Sequence, residues 1–429
     1  MWQRLAELAG LFFKLGSISF GGPAAHLALM EEEIVARRRW MSRQQFLDLW
    51  GATYLIPGPN ALEMTAHVGY QRAGWLGLAV SAVSFTLPAA VLSALLGWAY
   101  LAYGSLPRVQ PFLVGVKPAV LAVIVVALAR LARTAIQGWM TAAMAGVVAA
   151  AALLGANEVL VLLAAALVGT LSLPRGRPPG EQSAKDAPTG SPPPESRVGT
   201  EKSSADPHAS CLTGTHPTQP SEGPTRRPAN PPRPTGTRPA LGSTLWLLGA
   251  IAAVPPAVPL VPLTLFFVKV GAVLYGTGYV LIAYLEGGLV RDLGWLNPQQ
   301  LIDAVAVGQI TPGPLITTAT FVGYVLAGPA GAAAATAGII LPGLTAVAIT
   351  SPWIARLRQW AWTSRFLDSV GAASLGLTAA VTLTLGQRVV VDWQSLVIAG
   401  ASCGALLRWK LTPAWLIVGG AVAGWLLAA

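Results

Sequence analysis

Apolar runs of about 20 residues recur along the chain, at Trp75 to Tyr103, Phe112 to Leu128, Met140 to Leu154 and Val159 to Leu173, with counterparts after residue 330. Each is read as a helix crossing a hydrocarbon core roughly 30 Å thick. Composition agrees, since 54% of residues are hydrophobic and 11% charged, against about 25% charged in soluble proteins. A single soluble core stops growing near roughly 250–300 residues, so this much apolar surface has no aqueous place to hide. The expectation is an all-α polytopic membrane protein.

Other totals narrow the function classes. The net charge of +10 does not call for nucleic acid, because the arginines sit in short loops between apolar runs. Positive-inside bias and anionic headgroups explain them, so the lipid bilayer is the expected partner. Cys211 and Cys403 offer no disulfide framework, and His26, His67, His208 and His216 are scattered, so neither a metal site nor a cofactor is expected. The opening MWQRLAELAGLFFKLG lacks the pattern of a cleaved signal peptide.

From Pro174 to about residue 240 the character changes. Sixteen of the 34 prolines fall there, among Ser, Thr and Gly. Such a stretch cannot bury enough surface to offset its ordering entropy, and it reads as a disordered Pro-rich linker over 174–240. The flanks, 1–173 and 241–429, are copies of one unit. Adding 255 takes Lys14 to Lys269, Gly16 to Gly271, Glu31 to Glu286, Trp40 to Trp295, Asp48 to Asp303 and Pro57-Gly58-Pro59 to Pro312-Gly313-Pro314. One residue is then dropped, and Gly69-Tyr70 falls on Gly323-Tyr324. Internal duplication of this kind belongs typically to transporters.

Each copy holds a glycine-interrupted apolar stretch, a segment broken by Pro-Gly-Pro, and four cleaner runs. With the broken element re-entrant and about five spans per copy, the clusters Arg37-Arg38-Arg39, Arg72, Arg130 and Arg133 share one side with the linker. An odd number of spans inverts the second copy, unless Leu245 to Pro256 adds a helix and restores parity.

Unpaired backbone cannot face lipid, so a Pro-Gly-Pro break inside an apolar segment belongs where protein or water reaches it. A helix restarting there with Pro59 or Pro314 in its first turn aims free amides and its positive dipole end inward, a geometry suited to an anion. The candidate ligands are Gly58, Pro59 and Asn60 in the first copy, and Gln309, Thr311, Pro312, Gly313, Pro314, Thr317, Thr318 and Thr320 in the second. Hydroxyls and amides donate to a tetrahedral oxyanion without a fixed charge that would trap it. The bland alternative is that these threonines bond back to their own helix or pack helices together. Lys14 and Lys269 either snorkel to the interface or neutralise an anion. Asp48 and Asp303 follow paired glutamines and read first as helix caps, with an arginine pair or a coupling proton as alternatives. Glu63 is an asymmetric coupling candidate without an acidic counterpart, and Thr65 and His67 complete that first-copy segment.

The FGG…E, WxxxQQ(F/L)xD and (I/T)PGP patterns, with GQITPGPLITTATFVGY and GIILPG in the second copy, resemble the CHR chromate ion transporter family over nearly all of both copies. The resemblance implies a secondary carrier of the bacterial or archaeal inner membrane that exports chromate and confers chromate resistance, with sulfate the close analogue. It also implies two homologous domains of opposite orientation. The first copy departs from the pattern, reading Ala61-Leu62 for the Thr-Thr pair. Rival readings are a sulfate or other oxyanion carrier, an anion channel with the same half-helices, a membrane-embedded enzyme, and a scaffold whose linker recruits partners. The sequence leaves the oligomeric state open, a homodimer included.

Overall fold

The computed structural model describes residues 1–19, 23–104, 106, 110–172, 258–275, 278–313, 316–351, 361–409 and 413–428. The expected linker, the segment Leu245 to Pro256 and Pro314 lie outside the described residues. Among the described residues there are fourteen α-helices and no strand. The first seven are α1 (Trp2–Ile18), α2 (Pro23–Glu31), α3 (Arg43–Thr53), α4 (Asn60–Tyr103), α5 (Gln110–Ala135), α6 (Trp139–Leu153) and α7 (Glu158–Ser172). The same order returns as α8 (Leu260–Val273), α9 (Val280–Leu285), α10 (Pro298–Ile310), α11 (Thr317–Thr350), α12 (Ala361–Val389), α13 (Trp393–Trp409) and α14 (Pro413–Ala428). Both α2 and α9 run into π-helical turns, Glu32–Arg37 and Glu286–Asp292. By length and composition, four helices among the described residues can cross a membrane: Asn60–Tyr103, Gln110–Ala135, Thr317–Thr350 and Arg365–Val389.

α4 and α11 each consist of two arms that double back. In a continuous helix, residues 69 and 77 would be about 12 Å apart. Instead, a Cβ built on Gly69 would fall onto the Gly77 carbonyl, and one on Gly77 onto the Gly69 carbonyl. Gly323 and Gly331 repeat the contact. The chain reverses at Ala73–Gly74 and at Ala327–Gly328, where the glycines hold φ 63° and 62° with ψ −148° and −155°. That region is essentially closed to residues with a side chain. The entering arms, 60–72 and 317–326, are about 20 and 15 Å long. Neither can cross a core of about 30 Å, whereas the returning arms can.

α3 and α10 begin with reciprocal caps. Ser42 accepts from the Gln45 amide while the Gln45 side chain accepts from the Ser42 amide, and Asn297 and Gln300 do the same. The paired glutamines therefore include the capping partners. Asp48 and Asp303 lie beyond the first turn, which corrects the expectation that they cap.

The two repeats interlock. Gly115 on α5 packs against Gly420 and Gly424 on α14, and Gly169 on α7 packs against Ser369 on α12. The closing pair of helices in each repeat thus lies on the long fifth helix of the other, α6 and α7 on α12, α13 and α14 on α5. α5 and α12 themselves run antiparallel: Gly386 faces Leu121, while Leu375 clusters with Leu131, Ala132 and Ala135. One hydrophobic core draws on both halves, including Phe12, Trp50, Phe85, Phe267 and Phe321.

Candidate functional site

Proline denies each hinge a donor, and glycine supplies the bend, with φ 130° at Gly58 and 89° at Gly313. Each hinge is held by the opposite repeat. The Gly58 amide donates to the Leu274 carbonyl at 2.6 Å, just past the end of α8, and the Gly313 amide donates to the Ser19 carbonyl at 2.9 Å, just past the end of α1. Ser19 and Leu274 are equivalent positions, so the exchange is reciprocal. The glycine amides are consequently satisfied by the opposite repeat. Each hinge also rests on the other repeat's returning arm. A Cβ on Gly343 would lie 2.8 Å from the Pro57 carbonyl, and one on Gly313 would lie 3.0 Å from Ala89 Cβ.

Around the second hinge the polar side chains are buried: Thr311, Thr317, Thr318 and Thr320 are each at most 3% exposed. Thr311 Oγ1 lies 3.2 Å from Thr317 Oγ1 and 3.4 Å from the Gly308 carbonyl. Thr320 shares a 2.7 Å hydroxyl pair with Thr336, which bonds back to Ala332. Thr65, by contrast, donates to its own helix at Ala61. Thr318 Oγ1 is buried without a hydrogen-bond partner among the described residues. Gln309 faces the Tyr279 hydroxyl. The His26 imidazole reaches the Gly313 backbone and stands edge-on to Phe85. The sequence hides this role of His26, since the matching position in the second repeat is Leu281 and no spacing links His26 to the hinge.

The first hinge differs in kind. Asn60 is buried, and Glu63, 1% exposed, turns back over the start of its own arm. A Cβ on Gly58 would collide with Glu63 Oε1, which also lies 2.9 Å from where a Cβ on Gly343 would sit. Neither carboxyl oxygen has a hydrogen-bond partner from another described residue. Counted from the matched contacts of Gly69 and Gly323, Thr317 and Thr318 correspond to Glu63 and Met64, not to Ala61 and Leu62. His67, one turn further on, meets Ser351 Oγ at 2.9 Å through Nδ1.

The remaining candidates lie apart from the hinges. Lys14 and Lys269 occupy exposed faces of α1 and α8. Lys14 pairs with Glu33 at 2.6 Å. That bond holds the Glu33 carboxyl, on the π-helical turn, below its usual range. Arg37 and Arg38 join the same carboxylate, while Arg38 and Arg72 stack on Trp40. Asp48 accepts from Gln44 at 3.2 Å. Its counterpart Asp303 is buried and crosses repeats, accepting from Tyr100 at 2.9 Å with Lys117 at 3.9 Å. No arginine joins it among the described residues. Tyr100 and Lys117 gave no sequence signal, because the corresponding second-repeat positions are Ile354 and Gly371. Arg291 is held by Glu158 and Glu286.

Duplicated helical units, interlocked through hinge glycines inside an apolar bundle, define a polytopic membrane protein of the transporter type. Residues 6–170 and 261–425 each match the chromate transporter family, and the chain belongs to that family. It is 29% identical over 412 residues to a probable chromate transport protein of Synechococcus elongatus, spanning 95% of this chain and 90% of that one. It is 28% identical over 422 residues to a chromate transport protein of Cupriavidus metallidurans, spanning 97% and 91% respectively. A chromate transport protein of Pseudomonas aeruginosa is 28% identical over 436 residues, at 98% and 92%. No solved structure matches the chain. These relationships make it a transporter rather than an enzyme.

Proposed function

We propose that this chain is a secondary carrier that exports chromate, a tetrahedral dianion, across the cytoplasmic membrane and so confers chromate resistance. Its two repeats have opposite orientation, the entering arms of α4 and α11 are re-entrant, and the 174–240 linker is cytoplasmic. The antiparallel course of α5 and α12, which are equivalent helices, supports the inverted arrangement. The observation that carries the reading is the reciprocal hold of Gly58 by Leu274 and of Gly313 by Ser19. Two half-helices are thereby tied together inside the bundle, each dependent on the other repeat. A rocking of one repeat against the other must remake both bonds, as alternating access around a central site requires.

The oxyanion is held at the second hinge. Thr318 supplies a hydroxyl that lacks a partner among the described residues, Thr311 and Thr317 add hydroxyls, Gln309 adds an amide, and Asn60 adds another from the first hinge. The threonines and Asn60 are buried, and Gln309 is half-buried. Lys14 and Lys269, on exposed faces, act at the rim rather than at the centre. A negative interior favours anion exit by about 2.3 kcal/mol per charge per 100 mV, so a dianion gains roughly twice that.

The test is uptake of labelled chromate, with sulfate in parallel, into inverted vesicles and reconstituted liposomes. Saturable flux with counterflow is expected, and unitary currents without counterflow would replace the carrier with a channel. Thr317→Val with Thr318→Val should cut flux at least tenfold while the protein still inserts in the membrane. Wild-type flux from that double variant removes the second hinge from the site.

A further inference from the structure

The first hinge carries an acid where the second carries a hydroxyl. Glu63 and Thr317 are equivalent on their arms, yet the Glu63 carboxyl is folded over Gly58, at the start of the entering half-helix. It is 1% exposed, and neither oxygen has a partner from another described residue. The helix start, where an anion would be stabilised, is occupied by the chain's own carboxyl. An unpaired buried carboxylate is costly, and a dianion drawn to the same core makes it costlier, since like charges close together in a low dielectric do not both ionise.

Among the described residues, the surroundings offer no compensating charge. The returning arm of α11, which Glu63 touches at Gly343, has no acidic, basic or histidine residue. On its own arm His67 is engaged with Ser351. α8 brings Lys269 on an exposed face, and α3 brings Asp48, bonded to Gln44, and Arg43, paired with Glu31. α1 brings Arg4, Glu7 paired with Arg72, and Lys14 paired with Glu33, while α2 brings His26 and α10 brings Asp303 beside Lys117. Among the described residues, none of them is hydrogen-bonded to the Glu63 carboxyl.

We propose that Glu63 carries one proton with each oxyanion, so that the carrier moves one net negative charge per chromate instead of two. The inference rests on the oxyanion-carrier reading above. The carboxylate takes its proton from water on the side where the anion enters and gives it back to water on the side where the anion leaves. No bond in the oxyanion changes.

The measurement is the equilibrium distribution of labelled chromate across proteoliposomes, with the potential clamped by a potassium gradient and valinomycin, at a pH where chromate is the dianion. Both sides are strongly buffered at equal pH. One net charge gives a tenfold ratio per about 59 mV, and two give tenfold per about 30 mV. Wild type should follow the first, and Glu63→Gln and Glu63→Thr the second. At zero potential, a gradient of about one pH unit should concentrate chromate tenfold on the alkaline side for wild type, with no accumulation for either variant. The ratio is thermodynamic, so a slow or poorly expressed variant still reports it, and wild type at tenfold per about 30 mV overturns the proposal whether or not either variant folds. Wild type at tenfold per about 30 mV, or variants matching wild type at 59 mV, overturns the Glu63 assignment while counterflow leaves the carrier intact. No chromate movement by wild type overturns the carrier reading, and the assignment with it.

Discussion

Asp303 shows how one residue can tie the two repeats together electrostatically. It is buried, receives the Tyr100 hydroxyl at 2.9 Å, and faces Lys117 at 3.9 Å, both from the other repeat. Lys117 also donates to Gln299 at 2.7 Å, so its ammonium is held by two residues one turn apart on the same face of α10. Removing one member of a buried pair strands the other, at a cost of roughly 3–5 kcal/mol, whereas replacing both with neutral groups costs far less. Lys117→Met should therefore lower the thermal unfolding midpoint in detergent sharply. Lys117→Met with Asp303→Asn should recover most of the loss, and a double-mutant cycle measures the difference. Equal losses in the single and double variants would mean that the pair does not stabilise the fold. The sequence marked Asp303 through its match to Asp48, but the pairing partner lies 186 residues away and is absent from the other repeat. Repeat comparison finds what the copies share. It cannot find what one copy acquired to serve the other, and Lys117, Tyr100 and His26 are all of that kind.

Among the elements, the doubled-back α4 and α11 were half legible. Pro-Gly-Pro announced a break at residues 57–59 and 312–314, and the apolar run after it announced a span. What the composition concealed is the second turn, at Gly74 and Gly328, because a glycine within an alanine-rich apolar run is ordinary in membrane helices. Two different demands on glycine make the hairpin. Gly74 must hold φ 63° but faces open space, since a Cβ there would meet nothing within 4 Å. Gly69 has a helical backbone, yet a Cβ there would strike the Gly77 carbonyl and Ser81 Oγ. Gly74→Ala should consequently cost about 1–3 kcal/mol of backbone strain and still yield monodisperse protein. Gly69→Ala should instead force the arms apart and abolish the monodisperse peak in size-exclusion chromatography. If Gly74→Ala proves the more damaging, the arms tolerate separation and the small-residue contact is not what closes the hairpin.

At the scale of the molecule, duplication and interlocking have a consequence for folding. α6 and α7 find their principal partner in α12, and α13 and α14 find theirs in α5, so neither repeat buries its closing helices by itself. The hinges obey the same logic, each glycine amide being satisfied by a carbonyl of the other repeat. In lipid, an unsatisfied backbone group costs several kcal/mol, and the exposed small-residue faces at Gly115 and Gly169 would lose the close packing that replaces hydrophobic drive between membrane helices. A covalent connection between two such halves raises their local concentration, and this is the role expected of 174–240. Chains 1–180 and 236–429 expressed separately should each be degraded, whereas co-expression should restore a complex that co-purifies and moves chromate, at reduced yield. Deleting residues 181–235 from the intact chain tests the connection from the other side, and flux should survive if the remaining span can bridge the two ends. Stable accumulation of either half alone would mean that the repeats fold as independent bodies and that the reciprocal contacts form only afterwards.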